Sequence, residues 1–84
     1  MALGIAGSSL TAELNRLAGT TGLDEQGAAN AWAETTGLAT VGALNIKADA
    51  ARTRDKFKDI DGICNELAGT TGLAAPAALR SINA

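Results

Sequence analysis

The chain has 84 residues, a net charge of −2, one Trp, one Phe, one Cys and no His. That length holds a single domain, and the acidic balance disfavours non-specific nucleic-acid binding, which needs clustered Lys and Arg. No apolar run approaches the roughly 20 residues that span a bilayer, and the lone Cys64 cannot form an internal disulfide.

The first residues, Met1–Gly7, are mildly apolar but lack the positive start and continuous apolar stretch of a secretory signal. Residues 1–8 are read as an N-terminal arm suited to a groove on a neighbouring protein, ahead of one domain over residues 9–84. Helices are expected near Ser9–Ala18, Leu23–Ala33, Leu38–Ala48, Ile60–Ala68 and Leu73–Ile82, with a further short one within Ala50–Phe57. Leu10, Leu14 and Leu17 fall at i, i+4, i+7, and Ile60, Ile63 and Leu67 at i, i+3, i+7. That is helical spacing, not strand alternation. Helices this short need packing to persist. The fold class is therefore all-α, a compact array of four to five short helices.

The array is built from internal repeats. Leu-Ala-Gly-Thr-Thr-Gly-Leu occurs at Leu17–Leu23 and again at Leu67–Leu73, and a looser Ala-Glu-Thr-Thr-Gly-Leu lies at Ala33–Leu38. Asn15, Asn30, Asn45 and Asn65 mark the register, at intervals of 15, 15 and 20 residues. A partial fifth unit begins with Arg80 where Asn is expected. Thr-Thr-Gly is a poor helix interior. Gly19 and Gly69 are placed to end helices at positive φ. Thr21, Thr36 and Thr71 are expected as N-caps of the next ones, with Asp24 completing a variant capping box after Thr21. Gly27 and Gly42 recur at one position inside helices, which suggests close passage of a neighbouring backbone.

Asn30 and Asn45 fall near apolar helix faces, seven residues after Leu23 and Leu38. A buried amide without partners costs about 1–3 kcal/mol. The asparagines are expected to satisfy backbone groups of a Thr-Thr-Gly corner and lock units together; the alternative is half-exposed helix positions. Cys64 shares its register with Leu14, Ala29, Leu44 and Leu79, so it reads as a small core filler, and no His exists to activate it. Trp32 shares its register with Leu17, Leu67 and Ile82, which points to packing inside the chain or against another chain.

Residues 47–61 form a charged insertion that holds five of the seven basic residues, Lys47, Arg52, Arg54, Lys56 and Lys58, and four aspartates. Mixed charge of this kind suits a solvated face. Its functional reading is a polar contact with a partner, with Phe57 as apolar anchor. The aspartates lack Ca²⁺-loop spacing. No catalytic constellation, cofactor site or metal site is expected, and the chain is read as non-enzymatic.

With the units aligned, "LNRLAGTTGL", "GAANAWAETTGL", "VGALNIKA" and "DGICNELAGTTGL" resemble a family of small repeat segments in virion proteins of tailed phages that infect actinobacteria. The resemblance covers about Thr11 to Leu79. It implies a virion structural role without enzymatic activity, with a major capsid protein, another virion protein or a second copy of the chain as partner, and no nucleic acid or membrane. A short chain with its own initiator Met favours a stand-alone minor capsid or decoration protein that cements the capsid lattice, assembled in the host cytoplasm. The rival expectations are a tail-associated or host-envelope-binding module and a small helix-turn-helix nucleic-acid binder.

Overall fold

The computed structural model describes residues 9–51 and 57–82. The five helices are α1 Leu10–Ala18, α2 Glu25–Ala33, α3 Thr40–Ala50, α4 Ile60–Ala68 and α5 Ala75–Ile82, with no strand among the described residues. The all-α class follows. Three starts lie two residues later than the sequence suggests, because Leu23, Leu38 and Leu73 belong to the corners. The short helix expected within Ala50–Phe57 falls largely on residues outside the described ones; Ala50 itself ends α3. The arm at residues 1–8 also lies outside them.

Each helix packs on the next in chain order, and α5 returns to pack on α1. Helices that are not neighbours in this cycle do not pack on each other. The result is a closed ring, measuring 32 × 28 × 19 Å. Leu14, Ala29, Leu44, Cys64 and Leu79, one per helix at the same register, are all fully buried and form the centre. Ala28, Ala43, Ile63 and Ala78 complete it. A core with this much Ala allows helices as short as eight or nine residues to approach closely.

The caps correct the sequence reading. Asp24, not Thr21, is the N-cap of α2, and Asp59 caps α4; each carboxylate accepts from a glycine N–H, Gly27 or Gly62, at 2.7 Å. Ser9 caps α1 in the same way through Ala12 N at 3.1 Å. Ala39 precedes α3 without a side-chain cap. Thr21, Thr36 and Thr71 are exposed in the corners, at least three residues before a helix begins. The reason is the extra extended stretch through Leu23, Leu38 and Leu73, which moves each cap downstream. Gly27 and Gly42 do not face a foreign backbone either. A Cβ on Gly27 would lie 2.9 Å from Asp24 Oδ1, and one on Gly42 would meet only Leu38 Cβ at 3.6 Å. At Gly27 the missing side chain leaves room for the capping carboxylate.

Candidate functional site

The most strongly patterned polar site among the described residues is the asparagine clamp, seen at Asn15, Asn30 and Asn65. Asn15 Nδ2 donates to Thr11 O at 3.0 Å and Leu23 O at 2.9 Å, and its Oδ1 accepts from Thr20 Oγ1 at 2.8 Å and Leu23 N at 3.3 Å. Asn30 repeats this with Gln26 O and Leu38 O, both at 2.8 Å, and with Thr35 Oγ1 at 2.8 Å and Leu38 N at 3.2 Å. Asn65 does so with Asp61 O and Leu73 O, both at 2.7 Å, and with Thr70 Oγ1 at 2.7 Å and Leu73 N at 3.2 Å. Both donors and both lone pairs of each amide are used. The amide therefore ties the last turns of one helix to the entry of the next.

The same residues organise the backbone. Thr20, Thr35 and Thr70 N–H donate to the carbonyls of Asn15, Asn30 and Asn65, while Gly19, Glu34 and Gly69 N–H reach Arg16, Ala31 and Glu66 carbonyls. This paired pattern is a Schellman ending, which needs a left-handed residue at the cap. Gly19 and Gly69 supply it at φ 73° and 72°, and Glu34 adopts it at φ 62°. The hydroxyl that matters is thus the first of each threonine pair. Sequence reading selected the second. The signal that separates them is distance from Asn: five residues closes the ring of bonds, six does not.

Asn45 is buried to 9% exposure, like its counterparts, but no Thr-Thr-Gly-Leu follows it. The chain instead enters the charged insertion. Of the residues proposed there for partner contact, Arg52, Arg54 and Lys56 lie outside the described residues. Lys58 pairs with Glu66 at 3.5 Å. Phe57 is 95% exposed. Trp32 is half-buried against the core rim, with Lys47 Nζ 5.0 Å from its ring centroid, a cation–π distance.

Open grooves mark the surface of the described residues. One of about 540 Å³ runs beside α2, between Asp24 and the Thr35–Gly37 corner, and its Asn30 and Thr35 polar groups are already committed to the clamp. Another, about 380 Å³, lies between α3 and α4 and is lined by Val41, Asp59, Ile60 and Asp61. Val41 is exposed. Asp61 is tied down, since its Oδ1 accepts from Ala75 N at 2.8 Å and so holds the first turn of α5. Sequence reading missed that bond, for which no local spacing is a signal.

Cys64 is fully buried. Burial, and after it the negative Asp61, push its thiol from the ordinary 9.0 up to about 12. A thiol held protonated is a poor nucleophile and a poor metal ligand. No group of three His, Cys, Asp or Glu side chains that could hold a metal occurs among the described residues. No described helix is long and apolar enough to cross a membrane. No protein-family model, no curated protein and no solved structure matches the chain.

Proposed function

We propose that this chain is a structural protein of a phage virion, a minor capsid or decoration protein that binds the capsid lattice and cements it, without enzymatic activity or cofactor. The observation that carries the reading is Phe57, 95% exposed within the charged insertion, where the chain departs from its own repeat. An aromatic side chain offers about 150–250 Å² for burial, and such side chains dominate interface energetics. Two residues on, Asp59 and Ile60 border the groove with Val41. Partner binding would add the buried area that a small, Ala-rich core lacks, and would stabilise the fold by mass action. The resemblance of the repeated phrases to phage virion segments supplies the kind of partner.

Co-sedimentation with empty capsid shells of a tailed phage that carries this sequence tests the reading. Wild-type protein is expected in the shell pellet at a fixed copy number per particle. Phe57→Ala should weaken retention at least about tenfold, the effect of roughly 1.4 kcal/mol. Retention on tails or host cell-wall material with none on shells would replace this reading by the tail-associated one. Salt-dependent retention on DNA would replace it by the helix-turn-helix one.

A further inference from the structure

Two residues break the repeat where every other unit keeps it, and they meet. Two positions before the asparagine register, α2 to α5 place Ala28, Ala43, Ile63 and Ala78, all fully buried, whereas α1 places Glu13. At the register position itself, α5 carries Arg80 in place of Asn. Arg80 Nε lies 3.2 Å from Glu13 Oε2, and Arg16 Nε lies 2.8 Å from Glu13 Oε1. Arg16 Nη2 also donates to Leu79 O at 3.2 Å. The Glu13 side chain is 9% exposed, while those of Arg16 and Arg80 are 40% and 50% exposed. A carboxylate so buried is tolerated only with its partners in place. The two exceptions to the repeat are therefore a matched pair that reads the closure of the ring.

That closure differs from the other four joints. It is the one made without a connecting stretch of chain, so nothing covalent requires α5 to meet the α1 of its own molecule. Within the ring, α4 and α5 form one body, because the Asn65 clamp and the Asp61–Ala75 bond fix their corner. The connection between α3 and α4 carries no Thr-Thr-Gly-Leu, and its unit is five residues longer than the others.

We propose that the α1–α5 seam is an interface that a second copy of this chain can supply. The α4–α5 pair of one molecule occupies the place of its equivalent in another, and reciprocally, giving a two-fold dimer. Exchange of an identical element is a low-cost route to such dimers. In it each Glu13 is held by Arg80 of the other copy, so the charge pair selects the correct register between molecules as it does within one.

Single charge reversals test this directly. Glu13→Arg places like charges at its own seam, and so does Arg80→Glu. In a reciprocal dimer of one copy of each, both seams carry opposite charges again. The two variants, unfolded together and refolded at equimolar ratio, are expected to give a heterodimer by light scattering and native mass spectrometry. It should exceed either homodimer by about tenfold or more, in line with the cost of mispaired charge-assisted hydrogen bonds. Variants that refold only when mixed support the exchange equally. A mixture that yields only monomers, stays unfolded, or gives homodimers as readily as heterodimer overturns it. Neither result bears on whether the protein sits on a capsid, because shell binding is read separately through Phe57.

Discussion

The joint after α2 and the joint after α3 start alike and end differently. Both follow a buried asparagine, Asn30 or Asn45, at the same register. After Asn30 the chain turns within a few residues, every polar atom of the amide is bonded, and α3 is placed on α2. After Asn45 the turn sequence is gone, α3 runs on to Ala50, and a charged stretch carries an exposed Phe57. The clamped corner spends its polar groups on architecture and leaves little for a ligand. The joint after α3 is where the sequence, and with it the surface, departs from the repeat. In this molecule, repetition builds the ring and departure from repetition supplies the distinctive surface.

The largest effect should come from removing a clamp. Asn30→Ala strands a threonine hydroxyl and backbone groups of Leu38, and is expected to cost about 2–3 kcal/mol, on the order of 10–20 °C in Tm for a domain this size. Glu25→Ala, measured beside it by thermal denaturation, should cost a small fraction of that. Equal melting of the two variants would break the comparison.

Backbone conformation comes next. Gly37 sits at φ 73°, so Gly37→Ala should cost about 1–2 kcal/mol. Glu34 ends α2 in the left-handed region where α1 and α4 use Gly. Glu34→Gly should therefore stabilise, by up to about 1 kcal/mol. Urea denaturation of both variants checks the opposite signs. A destabilised Glu34→Gly would mean that the Glu34 side chain contributes something beyond its backbone.

Within the threonine pairs, Thr35→Val should cost about 1 kcal/mol by removing the bond to Asn30, and Thr36→Val should cost close to nothing. The same denaturation experiment reads both. Reversed order would restore the second threonine as the structural one.

At neutral pH the smallest effect is that of the Cys64 thiol, which shows only in alkaline solution. Because the Cys64 thiol is raised in the folded state, the stability it supports is intact below pH 9 and is lost as pH climbs from 9 towards about 12. Cys64→Val should show a shallower loss over that window than wild type. At pH 8, alkylation of Cys64 should wait for unfolding, and rapid labelling of the native protein would contradict its burial.

Much of this was legible in the residues. Apolar spacing together with the repeat located all five helices, the repeat register placed Cys64 in the core beside Leu44, and burial logic directed attention to Asn15, Asn30, Asn45 and Asn65, all of them buried. The threonine assignment failed because capping preferences are local, whereas the choice between Thr20 and Thr21 depends on where an amide five residues earlier can reach. Ring closure was not legible at all. Glu13 and Arg80 are 67 residues apart, and no periodicity connects them. Only their shared status as exceptions to the repeat gives a clue in hindsight.

Amide hydrogen exchange at Leu23, Leu38 and Leu73 tests the central claim most directly. These N–H groups lie outside the helices, and each donates to an asparagine Oδ1. They are predicted to exchange as slowly as amides inside α2 and α4, and to open together with the whole fold. Exchange as fast as that of the Thr21 and Thr36 amides, in the exposed part of the same corners, would mean that the asparagines do not hold them.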